Sequence, residues 1–391
     1  MKFGVYVHIP YCIQRCHYCD FTTFEQNSIM PPEDYLELLL QEITQRSTQI
    51  SPKELTSIYF GGGTPSLFPI DYIHKIIEKL ELSGLFKTKN TEITIEINPT
   101  TINTQKVKQY LDIGINRFSV GAQTFSDPLL KTCGREHNSQ QTLDTLDILA
   151  DLNTNFSLDI LYALPLQGME QLEIDIQTAL QFKPKHISAY CLTIPSGHPM
   201  NKGRPKEGLQ VEMLERITQR LNQNGLFQYE ISNFARPHME SKHNLLYWED
   251  QSYWGIGLSA HSSLSTWEKG LRFWNPKDFK TYKKQVEAPT VATYYPHQYL
   301  PDSQFEELKT WEALTDFCHI SLRLNKGLSK DALRYRFGHE AESLVAERLQ
   351  KVIKSNQVNE SPSHWFLTNE GRKISNKVFF ELTFLKEDFL H

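Results

Sequence analysis

Two hydrophobic rhythms alternate along the first two-thirds of this chain. Short runs rich in β-branched and aromatic residues occur at 5–9, 57–60, 92–97, 117–120, 157–162, 186–192 and 228–232. Gly, Pro or Asn bounds them, a pattern that predicts strands. Between them, residues 32–46, 70–82, 104–113, 140–152, 169–182 and 208–224 place apolar side chains at helical spacing. In the first of these, Tyr35, Leu36, Leu38, Leu39, Leu40 and Ile43 fall mostly on one face. Strand–helix alternation with connections of this length predicts parallel βαβ units. The expected fold class is α/β, an open or closed barrel with its ligands at the carboxyl ends of the strands.

The rhythm changes after about residue 290. Pro289, Pro296 and Pro301 punctuate an aromatic-rich connector. Helical patterns follow at 305–324, 330–337 and 340–354, then a hairpin at 357–367 and a last helix at 369–383. Helix–helix–hairpin–helix predicts a small, mostly helical, winged-helix-like unit. The expected organisation is therefore an α/β barrel over 1–290 and a C-terminal domain over 291–391.

Composition narrows the class. The 391 residues are 39% apolar and 22% charged, ordinary for a globular protein. A net charge of −5 supplies no general basic field, and the winged-helix-like unit has no run of Arg and Lys interleaved with aromatics, so no nucleic-acid partner is expected. No stretch of about 18 apolar residues predicts a membrane span. The N-terminus lacks a charged segment followed by an apolar core, so no secretory signal is expected and the cytoplasm is the natural compartment.

Chemistry concentrates just after the first predicted strand. Cys12, Cys16 and Cys19 have the spacing C-x3-C-x2-C. Closed zinc and ferredoxin sites take four protein ligands. Three thiolates on a cubic iron–sulfur cluster leave one iron open to a small chelating molecule. A zinc knuckle completed by His8 or His17 is the alternative. Cys133, Cys191 and Cys318 are isolated and read as small buried hydrophobes. The count does not describe a disulfide framework, and a cluster needs a reducing compartment.

Further candidates follow at the later strand ends. Gly61-Gly62-Gly63-Thr64-Pro65 allows close backbone approach to a ligand, although a tight turn explains it equally. Glu96 suits an ammonium group or ribose hydroxyls, or is a solvated strand-end acid. Gln123 both donates and accepts hydrogen bonds. Arg135 suits bidentate pairing with a carboxylate. Asp159 is a charge within an apolar strand, costly unless paired or facing a ligand. A structural salt bridge between Asp159 and Arg135 is its competing account.

The cysteine spacing, with Tyr18 before the last thiol, resembles the radical S-adenosylmethionine (SAM) superfamily. Joined to Tyr6-Val7-His8-Ile9-Pro10-Tyr11, the glycine run, Glu96-Ile97-Asn98-Pro99, Gly121-Ala122-Gln123 and the segment from Asp159 to Pro165, it resembles the oxygen-independent coproporphyrinogen oxidase (HemN-like) branch. The resemblance covers nearly the whole chain. It implies a partial (β/α) radical SAM barrel, a 4Fe–4S cluster on Cys12, Cys16 and Cys19, and SAM in contact with Tyr6, Tyr18, Gly62, Gly63, Thr64 and Glu96. Gln123, Arg135 and Asp159 match contacts to a second SAM in the true oxidase. Within the branch, Phe21 stands where the oxidase has a fourth cysteine, and the chain lacks the oxidase's N-terminal extension. His243-Asn244-Leu245-Leu246-Tyr247-Trp248 is similar to the HNxxYW motif of the HemW-like heme chaperones. That resemblance implies heme as ligand and heme-acceptor proteins, respiratory ones among them, as partners. His243 is then a candidate axial heme ligand, or a buried, hydrogen-bonded histidine. His261 is equally ambiguous. The rival within the branch is the oxidase itself, which decarboxylates coproporphyrinogen III with SAM.

Overall fold

The computed structural model describes residues 2–47, 50, 54–265, 269–288 and 304–389. The chain enters through β1 (Phe3–Ile9), whose alternate residues Phe3, Val5, Val7 and Ile9 are wholly buried. A short pair, β2 (Tyr11–Cys12) and β3 (Phe24–Glu25), brackets the cysteine loop before α1 (Pro32–Arg46). Strands and helices then alternate: β4 (Ser57–Gly62), α2 (Ile70–Leu82), β5 (Glu92–Ile97), α3 (Thr104–Asp112) and β6 (Arg117–Gln123). Next come α4 (Asp127–Thr132), α5 (Ser139–Asp151), β7 (Phe156–Tyr162), α6 (Met169–Gln181), β8 (His186–Cys191) and α7 (Glu207–Gln223). Local signals set these boundaries. Asn138 and Gln141 form a capping box at the start of α5, and Asn103 caps α3 through the Lys106 amide. In α2, Ile73, Ile76, Ile77 and Leu80 repeat at helical spacing and are completely buried against the sheet. Each such side chain stabilises the fold by roughly 1.5–3 kcal/mol.

Among the described residues, seven strands run parallel. With β11 (Ser252–Ile256) included, their order is β11-β1-β4-β5-β6-β7-β8. Antiparallel strands extend both ends of the row: β9 (Phe227–Gln228) and β10 (Asn233–Ala235) beside β8, and β12 (His261–Leu264), β13 (Leu271–Trp274) and β14 (Phe305–Glu307) beside β11. The result is an open, partial barrel. Between β10 and β11 lies α8 (Lys242–Trp248), and after β13 comes α9 (Phe279–Glu287).

Several expectations need correction. Residues 228–232 do not form one strand. The buried Glu230 carboxylate accepts from the Ser232 amide and the Asn233 side chain, turning the chain into the antiparallel β9–β10 pair. The segment opening at Phe305 begins as strand β14, paired to β13, before α10 (Thr310–Arg323) starts. The short strands β2, β3, β11–β14 and β15 (Leu328–Ser329), and the helices α4, α8 and α9, lack a counterpart among the elements the sequence predicts. The proline connector from Pro289 to Pro301 and the 290/291 boundary lie outside the described residues.

The C-terminal unit has its own core. It contains β15 (Leu328–Ser329), α11 (Lys330–Lys354), β16 (Val358–Glu360), β17 (His364–Leu367), α12 (Asn369–Lys373) and α13 (Ser375–Glu381). Gly338, at φ 89°, breaks α11 where two helices are expected. The three-stranded sheet β15-β17-β16 forms the wing. Leu314, Cys318, Leu333, Leu349 and Trp365 pack into one cluster, so Cys318 is a buried hydrophobe as expected. Ion pairs join this unit to the barrel: Arg323 to Glu230 at 3.3 Å, Lys326 to Glu249 at 2.6 Å, Arg336 to Asp250 and Arg272 to Asp316. No helix among the described residues is long and apolar enough to cross a membrane.

A buried carboxylate fastens the late strands to the first helix. Glu42, fully buried in α1, accepts from Arg46 (2.5 Å), Asn275 (2.8 Å), the Gly257 amide (2.9 Å) and the Tyr282 hydroxyl (2.6 Å). Removing one partner from such a network strands the others without water. Glu42→Ala is expected to cost about 3–5 kcal/mol in urea unfolding. Tyr282→Phe, which removes one charged hydrogen bond, is expected to cost about 1.5–3 kcal/mol. Equal, negligible losses in both variants would remove the network from the stability argument.

Candidate cofactor site

The site is built from the inward faces of the parallel strands. Alternate residues point inward, so each strand carries a polar row and an apolar row. On β6 the inward residues are Arg117, Ser119, Gly121 and Gln123, while Phe118, Val120 and Ala122 are buried beneath the helices. On β7 Ser157 and Asp159 face inward and Leu158 and Ile160 outward. On β8 the inward row is His186, Ser188 and Tyr190. A cavity of about 460 Å³, lined by both polar and apolar groups, fills the barrel mouth and interior.

Cys12, Cys16 and Cys19 line this cavity from the loop after β1. The loop is held from several sides. The His17 amide donates to the Cys133 carbonyl (3.0 Å), the Cys19 amide to Cys16 (3.2 Å) and the Phe24 amide to Pro10 (2.8 Å). Arg15 donates to the carbonyls of Cys19 and Phe21. The glycine run meets the loop directly: the Gly63 amide donates to Ile9 (2.8 Å) and the Thr64 amide to Tyr11 (2.7 Å). A Cβ on Gly63 would sit 2.5 Å from the Tyr11 carbonyl oxygen and 3.0 Å from Cys12 Sγ. Gly62 has φ +116°, and a Cβ there would strike the His8 ring at 2.6 Å. Burial pushes the Cys12 thiol up to about 11, against hydrogen bonds from Thr64 and Thr23. Such thiols ionise only with a strong cation beside them.

Three thiols face one cavity, yet among the described residues no three His, Cys, Asp or Glu side chains gather at a single-ion position. His8 is already hydrogen-bonded at both ring nitrogens, to Tyr6 and to the Thr22 carbonyl, so it supplies no fourth ligand to a zinc knuckle. His17 Nδ1 is engaged with the Thr132 carbonyl (3.0 Å). Three thiols facing one cavity are a donor set that a cubic iron–sulfur cluster with one open iron takes.

The cavity also carries charge without matching partners. Arg135 reaches Cys16 Sγ (3.4 Å) and the Gly121 carbonyl (2.8 Å), and its buried Nε has no hydrogen-bond partner among the described residues. Asp159 receives the Ser119 hydroxyl at 3.4 Å, and burial raises its pKa, opposed by hydrogen bonds from Ser188 and Ser119. No ion pair joins Asp159 to Arg135 among the described residues, so the structural salt bridge is not the reason for either charge. Gln123, 8% exposed and at φ 65°, sits where the β6–β7 register slips. A left-handed residue at a bulge re-aims its side chain. Glu96 accepts from the Tyr59 hydroxyl (2.8 Å) and the Gly62 amide (3.1 Å). A zwitterionic, hydrogen-bonding ligand such as SAM suits this lining.

Tyr18 and Thr64 also line this cavity; Tyr6 does not. Tyr6 opens onto a second cavity of about 490 Å³, which shares Phe21, Tyr59, Gly62, Glu96 and Asn244 with the first. Arg117, His186, Ser188 and Tyr190 were missed as lining residues. Their period-2 alternation with apolar neighbours was the available signal.

His243 also borders the second cavity, in the buried, hydrogen-bonded setting that is the second of its two readings. It is 1% exposed. Nδ1 is 2.8 Å from the Ser57 hydroxyl and Nε2 is 2.8 Å from the Tyr247 hydroxyl. Burial lowers its pKa to about 3, so it is neutral, and neither nitrogen is open to a metal. Trp248 faces the other way, with the Arg323 guanidinium 4.3 Å from its ring centre. The motif therefore ties α8 to β4 and to the C-terminal unit.

Comparison with known proteins agrees with this arrangement. Residues 6–179 match the Radical SAM superfamily, and residues 308–374 match the HemN C-terminal domain. A protein of Buchnera aphidicola subsp. Schizaphis graminum named heme chaperone HemW is 33% identical over 97% of this chain and 98% of its own length. The chain belongs to the HemW family. A Bacillus subtilis HemW is 31% identical over 96% of this chain and 98% of its own. The Escherichia coli coproporphyrinogen III oxidase HemN, a radical SAM enzyme, shares the fold at TM-score 0.81 and 20% identity, over 98% of this chain and 90% of its own. The HemW kinship and the HemN-like fold both span the partial barrel and the C-terminal unit.

Glu96 makes the site pH-sensitive. Burial, its largest influence, raises its pKa from 4.5 to about 7, opposed by the Tyr59 hydroxyl and the Gly62 amide and reinforced by Asp159. Between those values the folded chain holds a proton that the unfolded chain has released, so stability falls as pH rises through the window. Glu96→Gln is expected to flatten that fall and make the cofactor-free protein more stable at pH 8, by up to about 3 kcal/mol. Denaturant unfolding at pH 5 and pH 8 measures it. Parallel pH profiles for the two proteins would show that Glu96 ionises without penalty.

Proposed function

We propose that this chain is a cytoplasmic heme chaperone that binds heme and passes it to acceptor proteins, respiratory ones among them. In this reading Cys12, Cys16 and Cys19 hold a 4Fe–4S cluster. SAM lies against Gly62, Gly63, Thr64 and Glu96, with Tyr18 beside it. The observation that carries the reading is kinship along the whole chain with proteins named heme chaperone HemW. Geometry supports it. Three thiols and the glycine run face one cavity, and Arg135 and Asp159 bring opposite charges to its lining, Arg135 beside Cys16. The bound cluster would supply an electron and an open coordination position. The chain's own part is to hold the thiolates, neutralise charge beside Cys16 through Arg135, and orient a polar ligand through Glu96 and Gln123. Phe21, 60% exposed, borders both cavities where the oxidase has a further cysteine. It places an apolar ring there in place of a redox-active thiol.

After anaerobic reconstitution, alanine at Cys12, Cys16 or Cys19 is expected to abolish the cluster's visible absorbance and paramagnetic signal. Retention of a full cluster by the triple variant would disprove the ligand set. Hemin titration of the intact protein is expected to give a Soret band, with no conversion of coproporphyrinogen III when SAM and reductant are supplied. Robust conversion would restore the oxidase reading. His243→Ala is expected to lose about 1–3 kcal/mol of stability and to leave the hemin Soret band where it is. A displaced band would return His243 to the iron.

A further inference from the structure

Of the imidazoles on the second cavity, two are already engaged. His8 and His243 each have both ring nitrogens in hydrogen bonds. His261, at the start of β12, is exposed, and no hydrogen bond is made by its ring among the described residues. Its ring lies nearly parallel to Trp274, with centroids 5.6 Å apart and planes 24° apart, a contact that fixes the ring without using a nitrogen. Lys277 lies on the same wall, and among the described residues no carboxylate pairs with it. Tyr6, Tyr59, Tyr247, Tyr253 and Phe21 supply aromatic wall, and Asp20, Thr22, Glu96, Asn244 and Ser259 supply the polar remainder. Tyr6, Tyr59 and His243 form a loose stack, with Tyr59 and His243 centroids 4.9 Å apart. Tyr247 meets Tyr253 edge-on at 4.6 Å.

Flat aromatic walls, one uncommitted imidazole and an unpaired ammonium group make a complementary set. They suit a flat, apolar, metal-centred macrocycle bearing carboxylates. We propose that the second cavity is the porphyrin site, with the His261 imidazole as axial ligand to the heme iron and Lys277 pairing with a propionate. This rests on the heme-chaperone reading and deepens it. A ring nitrogen donates its lone pair to the iron and displaces a bound water, with no change in oxidation state. Aromatic faces cover the macrocycle, and the shared wall of Phe21, Tyr59, Gly62 and Glu96 brings the bound heme beside the cofactor cavity.

Hemin titration of the full-length protein tests the site. His261→Ala is expected to move the Soret band and weaken binding by at least about tenfold. Its melting temperature should change little, because the ring is exposed, makes no hydrogen bonds among the described residues and gives up only its contact with Trp274. Added imidazole is expected to restore the wild-type band in that variant, a rescue that a merely structural role would not give. Lys277→Gln is expected to weaken hemin binding without moving the band. The dimethyl ester of hemin should bind the Lys277→Gln variant and the wild type alike. Wild-type band and affinity in His261→Ala would overturn this ligand assignment while leaving heme binding intact. No hemin binding by the wild-type protein would overturn the heme reading and this site with it.

Discussion

Parallel pairing of β1 on both of its edges is the constraint on which the rest of the structure depends. β1 bonds to β4 on one side and β11 on the other, so its register is fixed from two directions. A slip by one residue would turn Phe3, Val5, Val7 and Ile9 from the core toward the barrel interior. It would also displace the cysteine loop that begins three residues beyond the strand. The glycine run ends β4, the immediate neighbour, so the shared ladder carries directly into the Gly63–Ile9 and Thr64–Tyr11 contacts. Thiols and glycine backbone are thereby brought to one cavity by backbone geometry.

The second determinant is the polarity of the inner face. A barrel of this size packed with aliphatic residues would be solid. Here β6, β7 and β8 direct Ser119, Ser157, Ser188, Asp159 and Arg117 inward, and the interior stays open and charged. Buried charge is costly, and the pKa directions register that cost. Glu96 and Asp159 are raised mainly by burial, and His8 and His243 are lowered by it. A ligand carrying complementary charge recovers part of the cost, whereas a closed apolar core would leave nothing to recover.

Late segments of the chain complete early ones. Glu42 in α1 receives Gly257, Asn275 and Tyr282, and the Tyr35 hydroxyl bridges the His8 carbonyl to the Leu258 amide. Glu92, at the start of β5, accepts from the Lys242 and His243 amides and so anchors the first turn of α8. Through Trp248 and Arg323 the same helix meets the C-terminal unit. The residues of the HNxxYW motif thus join three parts of the molecule, an adequate physical reason for that combination of side chains.

The sequence by itself determined the barrel's βα alternation, the helical C-terminal unit with its wing, the cysteine loop and part of the first cavity's lining. Those features follow from local periodicity, turn chemistry and the fixed place of ligands at parallel strand ends, all of which act over short stretches of chain. Tertiary structure alone decided which histidine has free nitrogens. His8, His243 and His261 differ little in local sequence signal. Their hydrogen-bond partners Thr22, Ser57, Tyr6 and Tyr247 come partly from distant segments, and only the fold brings His243 to Ser57 across 186 residues. The short strands β9 to β14 were hidden for the same reason: pairing with a neighbour, rather than intrinsic preference, holds them extended. The division of the site into two cavities with a common wall was likewise set by packing, since Tyr6 and Cys12 are six residues apart yet open into different spaces.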